Sequence, residues 1–152
     1  MPTSNLMRGI DDASWDRKEF DWTGKSFYFV NFISLFGIQF GLNKKLEILN
    51  REIRQNGYKT KNSMVLIQYG KVKARTMLEI EKPDRYDAQV QNYDIATNAD
   101  TIVHYGGLAS LAKGVEKLKE RVYSRRSMMP REIYYVYQSE GNANKILLIG
   151  LT

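Results

Sequence analysis

Thr101-Ile102-Val103-His104-Tyr105, then Gly106-Gly107, then Leu108, Leu111, Val115, Leu118 and Val122: the chain writes a β-rich run, a turn and an apolar stripe at steps of three and four. Such spacing returns side chains to one side of an α-helix, so the stretch reads as a strand turning into an amphipathic helix. The order is not new to the chain. Ile102-Val103-His104 leading to Gly114-Val115-Glu116-Lys117 stands in register with Phe29-Val30-Asn31 leading to Gly41-Leu42-Asn43-Lys44, 73 residues earlier. Each copy runs on into two more strand-like stretches. The repetition predicts an α+β fold of two pseudo-symmetric strand-helix-strand-strand modules, with antiparallel sheets, two main helices and a cleft between the modules.

The first module, about 26–82, opens on Ser26-Phe27-Tyr28-Phe29-Val30-Asn31-Phe32-Ile33, aromatic and β-branched, which suits a buried strand. Ile38, Leu42, Leu46, Leu49 and Ile53 then predict a helix, stopped by Asn56-Gly57. Ser63 to Tyr69 and Val72 to Ile80, joined by Gly70-Lys71, read as a hairpin, and Lys82-Pro83-Asp84 breaks the second strand. Residues 83–100 read as an extended or irregular crossover. The second module, 101–152, adds a tyrosine-rich strand from Arg131 to Gln138, a polar turn from Ser139 to Asn144, and Lys145 to Leu151. This last strand is apolar at both parities, so it belongs at the centre of a sheet or under helices. Residues 1–25, with Trp15, Phe20 and Trp22 among charges, read as an arm over an edge of the domain.

Composition narrows the functional classes. A chain of 152 residues with 43% hydrophobic and 26% charged residues suits one packed domain. Cysteine is absent, which removes disulfide and thiolate chemistry and makes the cytoplasm the expected location. The early Asp11, Asp12, Asp16 and Glu19 do not suit a signal peptide, and Phe27 to Leu42 is too interrupted for a membrane span. A formal net charge of +6 admits nucleic acid or an acidic partner without requiring either, because the basic residues are spread along the chain.

Chemistry concentrates in Arg131-Glu132-Ile133-Tyr134-Tyr135-Val136-Tyr137-Gln138. Period-two alternation places Glu132, Tyr134, Val136 and Gln138 on one face and Arg131, Ile133, Tyr135 and Tyr137 on the other. A carboxylate among aromatic rings suits a lipophilic cation, since the rings offer apolar area and a negative face while the acid neutralises charge. Desolvation could equally fit such an acid for proton transfer. The plainer reading pairs Glu132 with Arg131 or another surface base and packs the tyrosines into a core. His104, the single histidine, lacks the companions a metal needs and reads as structural. No cofactor is expected: Gly106-Gly107 lacks the flanking pattern of a nucleotide loop.

Thr101 to Gly107, the helix Leu108 to Val122 and Pro130-Arg131-Glu132-Ile133-Tyr134 together resemble the gyrase-inhibitor-like (GyrI-like) small-molecule-binding family over about residues 25–152. The resemblance implies a pseudo-twofold domain with a cleft, used as an effector-binding domain of transcription activators, a stand-alone binder or a gyrase-inhibiting protein. Some relatives hydrolyse small lipophilic compounds. On this likeness Glu132 is the family's carboxylate and Tyr134 its aromatic two residues on. The internal repeat adds Tyr69, Gln68, Tyr28 and Tyr105 as cleft residues. Both tryptophans lie before residue 25, and no helix-turn-helix precedes the modules in this sequence. The expected function is binding of a small lipophilic molecule, cationic ones included. Alternatives are hydrolysis using the same glutamate, or a basic module acting on nucleic acid or a DNA topoisomerase such as gyrase, with a regulator as a further possible protein partner.

Overall fold

The computed structural model describes residues 11–35, 38–85, 87–137 and 145–152. In chain order the elements are α1 (Asp12–Trp15), β1 (Lys18–Asp21), β2 (Ser26–Leu35), β3 (Ile38–Phe40), α2 (Leu42–Gln55), β4 (Thr60–Gln68), β5 (Lys73–Ile80), β6 (Val90–Asn92), β7 (Asn98–Tyr105), a 3₁₀ turn (Leu108–Ser110), α3 (Leu111–Arg126), β8 (Glu132–Val136) and β9 (Lys145–Leu151). The chain is thus α+β. Its strands form a single nine-stranded sheet in the order β1-β7-β9-β8-β4-β5-β2-β3, with β6 also on β2, and every pairing is antiparallel.

Several details differ from the sequence reading. Separate sheets were expected, but β4 and β8 pair directly through Leu66↔Val136, Ile67↔Tyr135 and Gln68↔Tyr134, which fuses all strands into one layer. The expected helix began at Ile38. Instead Ile38–Phe40 hairpins back on β2, and α2 starts at Leu42 after Gly41 turns the corner at φ 68, a left-handed value natural to glycine. β7 begins at Asn98, because residues 98–101 find a partner in β1. The crossover also contributes β6. Gln138, the Ser139–Asn144 turn, Tyr86 and the first ten residues lie outside the described residues.

Period-two alternation sorts the core by face. Phe27, Phe29, Leu66, Met77, Val103, Tyr134, Val136, Leu147 and Ile149 form one cluster. The alternate residues, among them Ile67, Ile102, Ile133, Tyr135 and Leu148, pack with Leu111, Val115, Leu118 and Val122 of α3, while Tyr28, Val30, Leu78 and Ile80 meet Leu49 and Ile53 of α2. Both helices therefore cover the same face. β9 lies between β7 and β8 and is buried on both sides, as its unbroken apolar run requires. Removing each such Leu or Ile side chain from water contributes about 1.5–3 kcal/mol.

The opposite face has no long helix and is covered by other means. α1 and β1 bring Trp15 and Phe20 against it, followed by Trp22, and Tyr93 folds in after β6. Trp22, Phe27 and Tyr93 form an aromatic knot, with ring centroids 4.9 Å apart for Trp22–Phe27 and 5.8 Å for each contact of Tyr93. The arm is pinned at its other end as well. Arg126, near the end of α3, binds the buried Asp100 of β7 and reaches Glu19 of β1 at 3.0 Å.

His104 has a structural environment. It is 7% exposed, its Nε2 lies 2.9 Å from Ser110 Oγ, and Gly114 of α3 passes directly over its ring. A Cβ on Gly114 would lie 2.6 Å from the imidazole, so glycine is what lets the helix approach the sheet there. Gly114→Ala raises intrinsic helix propensity by about 1 kcal/mol, yet the clash is expected to make the variant less stable than wild type. Urea denaturation checks this, and combining it with His104→Ala should recover stability; a stabilised single variant would refute the close packing.

Candidate functional site

Glu132 opens β8, and the pleat turns it to the face opposite α2 and α3 together with Tyr134. Its Oε1 accepts hydrogen bonds from Tyr134 Oη at 2.7 Å and Tyr93 Oη at 3.3 Å. Both phenols are buried, Tyr134 completely and Tyr93 at 3% exposure, whereas Glu132 is half-buried. Arg131 beside it is exposed and, among the described residues, no lysine, arginine or histidine forms an ion pair with Glu132. The plain pairing of Glu132 with its neighbour is therefore not what the side chains do.

Around this acid the face is aromatic. Arg75 of β5 lies with its guanidinium carbon 4.1 Å from the Phe29 ring centroid and donates to Gln91 Oε1 at 2.9 Å. Gln68 is buried and accepts from the Arg75 backbone N–H at 3.1 Å. Burial pushes the Tyr93 phenol well above its ordinary range, and the Glu132 charge pushes the same way. For Tyr134 burial again leads, followed by the charges of Tyr93 and Glu132, with Arg75 opposing. Both hydroxyls thus keep their protons and serve Glu132 as donors.

Against the same face lies a cavity of about 300 Å³ with an apolar wall of Trp15, Phe20, Trp22, Phe27, Leu66 and Ile149 and a polar side that includes Asp21, Lys25 and Asn62. Tyr93 connects it to the acid, since its ring packs on Trp22 and Phe27 while its hydroxyl reaches Glu132. Glu79, 7% exposed, lines this cavity and is held by Lys25 at 3.0 Å and Asn62 at 3.1 Å.

The six residues expected to share a cleft are distributed as follows. Glu132, Tyr134 and Gln68 come together on the face opposite α2 and α3, where Gln68 pairs across the ladder with Tyr134. Tyr28 points the other way, with its hydroxyl donating to Glu52 of α2 at 2.8 Å. Tyr69 packs against the α3 cluster and lines, with Gln68, Leu108, Leu111 and Tyr135, a groove of about 770 Å³ between the β4–β5 hairpin and the start of α3. Tyr105 lies at the β7 edge, 57% exposed. Tyr93 donates to Glu132, while Arg75, Glu79 and the arm tryptophans lie on the same face, and none of these was expected as a site residue from sequence. The one available signal was Tyr93, an aromatic stranded in a polar crossover.

A scan against protein-family models finds no match to this chain, and a search of curated proteins finds none either. Among the described residues, no helix is long and apolar enough to cross a membrane.

The phenols carry a pH signature. Below about pH 10, tyrosine is protonated in folded and unfolded chains alike, and their contribution to stability is intact. Above it the unfolded chain releases protons that the fold retains, so stability falls as pH rises. Urea denaturation at pH 8 and pH 10.5 should show this decline in wild type and a shallower one in Tyr134→Phe. Equal slopes would contradict the burial of that hydroxyl.

Proposed function

We propose that this chain is a small-molecule binder of the gyrase-inhibitor-like type, holding a lipophilic cation against the aromatic face with Glu132 as the charge partner. The observation that carries the reading is the solvation of Glu132. Its carboxylate is half-buried and held by two phenols that can orient it but cannot cancel its charge. Burying a charge without an opposite one is costly, so such an acid favours a ligand that brings its own cation. The cavity under the arm suits the apolar part of that ligand, since Trp15, Phe20, Trp22 and Phe27 give it an aromatic wall beside Met64, Leu66 and Ile149.

The two-module organisation belongs to the same proposal, with a changed register. At the 73-residue spacing Phe29 falls on Ile102, but these face opposite sides of the sheet. Faces agree when Phe29 is matched to Val103, Met77 to Leu147 and Leu66 to Val136. The ladder Phe29↔Met77 then becomes Val103↔Leu147, and the central pair Leu66↔Val136 exchanges with itself. The helices align from their first residues: Leu42, Leu46, Leu49 and Ile53 fall on Leu111, Val115, Leu118 and Val122. This correspondence favours two related halves meeting at the β4–β8 ladder.

Titration of a fluorescent lipophilic cation into wild type, Glu132→Gln and Glu79→Gln tests the reading. Glu132→Gln is expected to weaken binding by about tenfold or more, the size of one charge-assisted contact. Glu79→Gln, which frees Lys25, should have the smaller effect. Equal affinity of wild type and Glu132→Gln would remove the role assigned to that residue.

A further inference from the structure

A second groove, about 550 Å³, lies on the outer side of the molecule where α3 passes the free end of β7. Its lining carries Arg17, Lys117, Arg121 and Arg125 against a single carboxylate, Asp16. That carboxylate is already engaged: Asp16 Oδ1 accepts from the Val103 backbone N–H at 2.9 Å, and its Oδ2 lies 3.8 Å from Arg17 Nε, a loose and exposed pair that an incoming phosphate can replace. Glu19 holds Arg125 together with Arg126, and among the described residues neither Lys117 nor Arg121 forms an ion pair. The Arg121 Nε is covered and has no hydrogen-bond partner.

Lys117, Arg121 and Arg125 follow one another at four-residue steps, so three like charges share one ridge of α3. Like charges at this spacing repel and weaken a helix unless an anion lies between them. The far wall is Tyr105, whose ring is 57% exposed, with Lys145 Nζ at 5.8 Å from its centroid. A flat exposed ring beside a cluster of arginine and lysine offers stacking for a base and charge for phosphates. The volume lies within the range of small-molecule sites.

We propose that this groove is a separate binding site for a nucleoside polyphosphate, with Arg17, Lys117 and Arg121 on the phosphates and Tyr105 against the base. It is independent of the Glu132 site, from which it differs in position and in the sign of its charge.

Calorimetric titration of the full chain at low salt with ATP, pyrophosphate, adenosine and a single-stranded oligonucleotide tests the assignment. ATP and pyrophosphate should bind and adenosine alone should not. Lys117→Gln and Arg121→Gln should each weaken ATP by about tenfold or more. Tyr105→Ala should weaken ATP while sparing pyrophosphate, and Glu132→Gln should leave ATP unchanged. Thermal unfolding of each variant identifies any loss due to misfolding, in which case Lys117→Gln, at an exposed position, carries the result. Failure of ATP to bind overturns the proposal, as does an oligonucleotide that binds where ATP does not, the mark of an extended nucleic-acid surface. Loss of pyrophosphate equal to that of ATP in Tyr105→Ala would remove the role given to the ring.

Discussion

Three residue pairs hold the molecule together at its centre: Leu66↔Val136, Ile67↔Tyr135 and Gln68↔Tyr134. Without this ladder, β7-β9-β8 and β4-β5-β2 would be two small sheets with exposed edges, each prone to pairing elsewhere. With it, alternate residues of each strand fall on common faces across the whole layer. α2 and α3 take one face. The other must be closed by whatever chain remains, and it is closed by the arm and by the crossover around Tyr93. The position of Glu132 follows directly, since it lies two residues from Tyr134 on the strand that makes the junction.

Three covered carboxylates show how differently the fold treats charge. Asp100 is fully buried and receives the Arg126 guanidinium, which it shares with Glu19. Glu79 receives Lys25 and an amide from Asn62. Both are neutralised in place, in keeping with the cost of an unpaired buried ion. Glu132 receives two phenols and no cation. Hydrogen bonds fix its direction without removing its charge, which is the condition a cationic ligand would meet. The contrast makes Glu132 the candidate and leaves Asp100 and Glu79 as ties that hold the arm and the sheet edge.

Much of the architecture was legible because its signals are periodic. The stripe from Leu111 to Val122 and the alternation from Glu132 to Val136 have only one packing solution each, and the apolar run of β9 could only be central. Less legible were features set by long-range contact. Ile38 fits a helical stripe as well as it fits a strand, and only its hairpin with β2 decides between them. The 73-residue spacing was drawn from identities such as Gly41 and Gly114, which serve different ends: Gly41 turns a corner at positive φ, while Gly114 admits the His104 ring. Tyr28 and Tyr69 were grouped with Glu132 by analogy between halves, yet parity turns Tyr28 to α2 and Tyr69 to the α3 side. Tyr93 and Trp22 reach the site from segments with no period at all, so no pattern tied them to Glu132, and an aromatic ring in a polar crossover was the sole hint for Tyr93.

The most direct test of the account is a crystal structure of the chain soaked with an aromatic lipophilic cation. The account predicts the cationic centre within contact distance of the Glu132 carboxylate, its rings against Trp22, Phe27 and Tyr93, and Tyr134 still donating to the acid. A cation bound elsewhere, with Glu132 unchanged or turned to bulk solvent, would contradict it.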